Sequence, residues 1–202
     1  MAFIASIQVA DPPEAWTELG FTVDVDTSRV GSVVHQLVGG PGAGLLSWTL
    51  DGADLPEGGV ELDGLPTSIG AVTDGESVSH PNGTLSIDHV VAMTPNLDRT
   101  IQTLEEAGIE CRRLRDAGPG RTQAFFRLGE VILELVGPNE PAGDGPTRFF
   151  GLAFTVADLD ATAAYLGDRL RPAKDAVQRG RRIATLDKSA GSTVAIAFMS
   201  PG

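Results

Sequence analysis

Residues 87–93 read Ile-Asp-His-Val-Val-Ala-Met, a β-branched run that predicts a buried strand, and the residues after it decide the fold. Thr94-Pro95-Asn96 supplies a cap and a proline suited to the first helical turn. Leu97, Ile101 and Leu104 recur at i, i+4 and i+7, predicting an amphipathic helix that Gly108 ends. Beyond it come a short strand near Glu110–Leu114, the run 123–128 (QAFFRL), the turn Gly129-Glu130 and the run 131–136 (VILELV). The order is strand, helix, three strands.

The same order recurs on both sides. Downstream, 152–156 (LAFTV) predicts a strand, Asp158 caps a helix carrying Leu159, Ala163 and Leu166, and Gly167 ends it. A hairpin of Arg182–Leu186 and Val194–Met199 comes next. Aligning the copies at an offset of 62 matches Leu97 with Leu159, Asp98 with Asp160, Thr100 with Thr162 and Leu104 with Leu166. Upstream, 3–9 predicts a strand, Asp11-Pro12-Pro13-Glu14 a helix start and Gly20 its end. Residues 21–25, 33–38 and 45–50 then predict three more strands. Residues 51–80, rich in Gly, Asp, Pro and Ser, read as a linker or long loop with room for one short strand.

Composition narrows the partners. Hydrophobic residues make up 42% of the 202, enough for a substantial core. The net charge of −12 argues against a nucleic-acid partner, because phosphate binding needs clustered positive charge. That charge is uneven: residues 1–98 hold only Arg29 against 14 acids, whereas 99–202 hold 14 basic residues against 13 acids. No run approaches the length of a membrane span, and the first ten residues lack a signal-peptide pattern, so a cytoplasmic globular protein is expected. Cys111 is the single cysteine, which leaves no intrachain disulfide and no Cys-rich zinc site.

The repeated pattern, with IDHVV at 87–91 opening one copy and VILELVGP at 131–138 closing it, resembles the vicinal oxygen chelate superfamily. That group includes glyoxalase I, bleomycin-resistance proteins and extradiol dioxygenases. The resemblance covers residues 80–202 and extends more loosely over 1–50. It implies an α+β fold of repeated βαβββ modules forming half-barrel sheets around a cleft, with helices on the outside. The modules are then a degenerate N-terminal one at 1–50, a linker at 51–80, a second at 81–140 and a third at 147–202, paired with the second. The N-terminal half-sheet is left with an apolar face to cover, and a homodimer with its twin in a second chain is the economical answer.

The resemblance also implies a divalent metal, Zn, Ni, Mn or Fe, held by residues on the first and last strand of each module. Carried over residue by residue, this gives His89 and Glu134. The aligned positions of the third module are Gly151 and Ala197, which cannot ligate. In the N-terminal module only Gln8 is of a ligand type. Two function classes are implied. One is a glyoxalase-like lyase, isomerase or dioxygenase acting on a small oxygenated substrate, with Glu134 or a bound water moving the proton. The other is a metal-free protein that binds or sequesters a small aromatic or anionic molecule.

Residue chemistry alone leaves the pair open. His89 and Glu134 interrupt apolar strands, which fits a metal pair, a buried acid/base pair or a self-satisfying hydrogen bond. Alternation puts Gln123, Phe125 and Arg127 on one strand face as candidate substrate contacts, and Arg182 occupies the corresponding hairpin of the third copy. His35, Trp48, His80 and Cys111 read better as structure than as site. Residues 39–44 (GGPGAG) lack the Lys-Ser/Thr of a phosphate loop and read as a hairpin loop.

Overall fold

The first strand, β1 (Phe3–Val9), buries Ile7 and Val9 on one side and leaves Ser6 and Gln8 half-buried on the other, the alternation of a strand covered on one face. The structure is a computed structural model describing residues 1–56, 58–76 and 78–202. Helix α1 (Pro13–Glu18) starts with a proline in its first turn, and Gly20 follows it at φ 78°. A Cβ at Gly20 would also stand 2.5 Å from the Tyr165 ring. Strands β2 (Thr27–Val30), β3 (Val33–Leu37), β4 (Leu45–Asp51), β5 (Val60–Leu62) and β6 (Leu65–Ile69) complete a six-stranded sheet in the order β2-β3-β1-β4-β6-β5.

Two local expectations are corrected here. Residues 21–25 form no extended strand: Phe21 turns into the core, Val25 adopts φ 54°, and Asp24 and Thr27 close a turn before β2. The stretch expected to be a linker contributes both β5 and β6. They join through Asp63-Gly64 at φ 49° and 93°, the conformation that a tight two-residue hairpin demands.

The second sheet holds β7 (Thr84–Met93), β8 (Cys111–Asp116), β9 (Arg121–Leu128), β10 (Val131–Pro138), β11 (Arg148–Val156), β12 (Lys174–Asp175), β13 (Arg182–Thr185) and β14 (Ala195–Met199). Its order is β12-β13-β14-β11-β7-β10-β9-β8. Helix α2 (Leu97–Glu106) is capped by Asn96, whose side chain accepts from the Arg99 amide at 3.1 Å. Helix α3 (Leu159–Leu166) is capped by Asp158, which accepts from the amides of Asp160 and Ala161.

Both sheets share one plan. In the eight-stranded sheet, the parallel pairs β7/β10 and β11/β14 flank an antiparallel β7/β11 contact. In the six-stranded sheet, the parallel pairs β1/β3 and β4/β6 flank an antiparallel β1/β4 contact. Among the described residues the β4-to-β6 unit shows no helix, so the N-terminal half is itself a reduced pair of units.

The two sheets meet through their helix-bearing faces. Trp16 of α1 packs 4.8 Å from His35 and edge-on at 6.3 Å to Phe154, while Trp48 meets Phe149 at 5.2 Å. Ile7, Val33, Leu50, Val90, Leu133 and Phe198 belong to one continuous core. Each such side chain contributes roughly 1.5–3 kcal/mol on burial. This removes the ground on which a homodimer was expected. The apolar face of the N-terminal half is covered within the chain, and its opposite face carries Ser6, Gln8, Gln36, Ser47 and Thr49. Each sheet therefore keeps one open face pointing away from the other. Among the described residues no helix is long and apolar enough to cross a membrane.

Candidate functional site

The open face of the eight-stranded sheet is where strand regularity fails. On β7, His89 pairs with Ala153 and Ile87 with Phe154, so Asp88 is an extra residue in a β-bulge. Consecutive residues of a regular strand point to opposite faces. The bulge instead lets neighbours touch: His89 Nδ1 lies 2.9 Å from Asp88 Oδ1. The carboxylate can only accept, so His89 Nδ1 donates this bond and the ring is held with Nε2 turned the other way. Nε2 faces Glu134 Oε2 at 3.7 Å.

A polar chain extends from this pair in both directions. Glu134, opposite Val91 on β10, accepts from Gln123 Nε2 at 2.5 Å, and Gln123 Oε1 accepts from Arg115 Nε at 2.9 Å. On the other side, Asp88 Oδ2 accepts from Arg181 Nη1 at 2.6 Å and from Thr155 Oγ1 at 3.1 Å. Arg181 also donates to Thr155 Oγ1 and to the Ser200 carbonyl, so its guanidinium is fully oriented. Burial by itself would raise the Asp88 pKa. The hydrogen bonds from His89 and Arg181, with the Arg181 charge, outweigh it and hold the carboxyl at about 2. Asp88 is thus a fixed anion behind His89.

Of the residues singled out in the sequence, the structure brings together His89, Glu134 and Gln123. Phe125 adjoins them, opposite Glu134, with the Arg115 guanidinium 5.2 Å above its ring. Arg127 and Arg182 are not brought in. Arg127 donates to the Gly129 carbonyl at the hairpin end, and Arg182 pairs with exposed Asp160 on α3. The arginines of the site are Arg115 and Arg181, and neither stands out in the sequence.

The residues expected to be structural behave so. Burial holds His35 at about 4, with Nδ1 donating to the Ser28 carbonyl and Nε2 unpartnered among the described residues. Trp48 donates to Thr67 at 2.7 Å in the core. His80 accepts from the Thr22 amide and donates to the Arg29 carbonyl, tying the second sheet's entry to the first. Burial pushes the Cys111 thiol up, away from reactivity. Residues 39–44 form a loop between β3 and β4.

Beside His89 a cavity of about 130 Å³ is lined by Val91, Gly151, Leu152, Ile196 and Ala197. The two positions that could not ligate, Gly151 and Ala197, are where this space opens. Gly151 is also obligatory for the sheet, since a Cβ there would collide with the Ala195 carbonyl oxygen.

His89 Nε2 and Glu134 Oε2 are closer than the ~4.2 Å that two donors at ~2.1 Å from one ion can span. They remain two donors. Asp88 is turned to His89 Nδ1 and Arg181, and Gln123 has its oxygen on Arg115 and its nitrogen on Glu134. Among the described residues no group of three or more His, Cys, Asp or Glu side chains is placed to hold a metal ion. The donor set does not fit a metal centre built by protein ligands.

No protein-family model matches the chain, and no curated protein matches it. Among solved structures it is similar to methylmalonyl-CoA epimerase from Mycobacterium tuberculosis, at 21% identity over 59% of this chain and 90% of that one, with a TM-score of 0.48. It is also similar to a Streptomyces coelicolor methylmalonyl-CoA epimerase variant in complex with 2-nitronate-propionyl-CoA, at 22% identity over 59% of this chain and 96% of that one, TM-score 0.48. A hypothetical protein from Bacillus halodurans matches at 17% identity over 58% and 94%, TM-score 0.47.

Proposed function

We propose that the open face of the eight-stranded sheet is a glyoxalase-like site of the vicinal oxygen chelate type. It binds a small oxygenated or anionic molecule and moves a proton on it through His89 and Glu134. One observation carries this reading: Asp88 holds His89 through Nδ1, so that Nε2 faces the Glu134 carboxylate while the ring lines the cavity. A C–H proton next to a ligand carbonyl passes to His89 Nε2, its electron pair moves into an enolate, and Asp88 and Glu134 stabilise the imidazolium until it returns the proton to a different atom of that enolate. The chemistry is an isomerisation by proton transfer, with no step assigned to a metal because the donor set falls short. A homodimer, if it forms, uses a surface other than the N-terminal apolar face.

The test is deuterium exchange at carbons next to carbonyls, followed by NMR over a panel of 2-oxo and 3-oxo carboxylic acids. Metal content is measured on the same untagged protein, with Zn, Ni, Mn and Fe added back. Exchange by metal-free protein that falls about 10²–10⁴-fold in His89→Gln, with an unchanged melting temperature, is expected. Exchange indifferent to both His89→Gln and Glu134→Gln sinks the reading. A second reading, sequestration without turnover, is favoured by the apolar lining of the cavity. It is the one left if ligands raise the melting temperature and no proton exchanges.

A further inference from the structure

The cavity at His89 does not end there. A larger one, of about 410 Å³, adjoins it and shares Phe150, Thr185 and Ala195 as lining. Sites for free-standing small molecules run to roughly 300–1,000 Å³. The inner space of about 130 Å³ admits only a small head, whereas the outer one is of ordinary ligand size. We infer that the ligand has two parts: a small carbonyl head seated at His89, and a longer apolar body that runs over Phe150 to an anionic end at Lys188 and Arg171.

The lining changes character along this path. Phe150, displaced by a second irregularity in the β7/β11 pairing, leaves its ring 55% exposed on the open face, a large apolar surface that a ligand body would cover. Leu186, Val194 and Ala195 continue the apolar floor. Away from the shared residues, Arg171 Nε meets Asp187 Oδ2 at 3.2 Å and exposed Lys188 lines the same cavity, so its lining carries two cations and one carboxylate. These cations belong to the half of the chain, residues 99–202, whose 14 basic residues are not outweighed by its 13 acids.

Two lining residues, Ser192 and Thr193, are held from the segment between β1 and α1. Buried Asp11 accepts from the Thr193 amide at 2.8 Å and from Ser192 Oγ at 2.6 Å, which fixes the 192–193 turn before any ligand arrives.

The head's placement rests on the proton-transfer reading, and the test separates the two. Calorimetry at low ionic strength compares 4-oxopentanoate, 9-oxodecanoate and uncharged 2-decanone. The long keto acid is expected to bind at least about tenfold tighter than either of the others. Lys188→Glu, and separately Arg171→Ala with Lys188→Ala, should erase its advantage over 2-decanone while leaving 4-oxopentanoate unchanged. Equal affinities across the series, or an advantage that survives in both variants, overturn the two-part site. If the advantage depends on Lys188 and Arg171 but His89→Gln changes neither affinity nor proton exchange, the outer chamber stands and the acid/base assignment falls. Exchange lost in His89→Gln without any length or charge preference removes the outer chamber and leaves the acid/base assignment standing.

Discussion

The two sheets share a plan and differ in what their open faces carry. On the six-stranded sheet that face shows Ser6, Gln8, Gln36, Ser47 and Thr49, and its cross-strand polar contact is Ser47 Oγ to Gln8 at 3.4 Å. On the eight-stranded sheet the equivalent face carries Arg115, Gln123, Glu134, His89, Asp88 and Arg181 in one connected chain. The acid excess of the first half does not compensate. Glu14, Glu18, Asp24 and Asp26 are exposed in α1 and the loop after it, while Asp11 and Asp63 serve as joints. Repetition supplied two platforms, and the connected polar chain lies on one.

The comparison can be broken first by acid. Burial holds His35, in the core beneath the six-stranded sheet, at about 4 against an ordinary 6.5. The unfolded chain therefore takes up that proton first. Stability should be full above about pH 6.5 and fall by about 3 kcal/mol as the pH drops to about 4. Asp88 behaves oppositely in origin: its contribution is present above its ordinary 3.8 and lost as the pH falls through about 2. Urea unfolding between pH 7.5 and 4.5 should therefore show a slope that His35→Phe flattens. An equal slope in the variant would mean that the first sheet is not the acid-sensitive one.

A smaller effect belongs to the joint between the sheets. Asp63 accepts from Thr100 Oγ1 at 2.5 Å and Thr147 Oγ1 at 2.9 Å, and stands 2.8 Å from Arg99 Nε. Asp63→Asn keeps a residue tolerant of positive φ but removes the charge, and should cost about 1–2 kcal/mol in urea unfolding at pH 7. No loss would show that the β5–β6 hairpin is docked by shape alone. The smallest expected effect is Gln8→Ala, within about 0.5 kcal/mol and without influence on ligand affinity. If it weakens binding as much as Gln123→Ala does, the open faces are not functionally distinct.

Much of this is legible in the sequence where periodicity is strong. The β7-α2 unit and its C-terminal copy announce themselves through Val90, Ala92, Leu97 and Leu104, whose spacing changes from two to nearly four. The β5–β6 hairpin escapes notice although Leu62-Asp63-Gly64-Leu65 carries the Asp-Gly turn signal, because strands of three and five residues sit among glycines and prolines. Residues 21–25 mislead in the opposite way, an apolar/polar alternation whose Phe21 packs as core without pairing. At the site, His89 and Glu134 stand out as polar residues on apolar strands. Asp88 does not, since alternation assigns it to the far face and only the bulge brings it round. Arg181 acts across 93 positions from a turn before β13, a distance no local pattern spans.

Both tryptophans of the chain, Trp16 and Trp48, lie fully buried between the sheets, and neither reaches an open face. Their ultraviolet emission is therefore a built-in gauge of how firmly the two halves hold together. It should register denaturant or acid and stay dark to whatever occupies the space beside His89, so an optical assay for ligands has to bring its own dye.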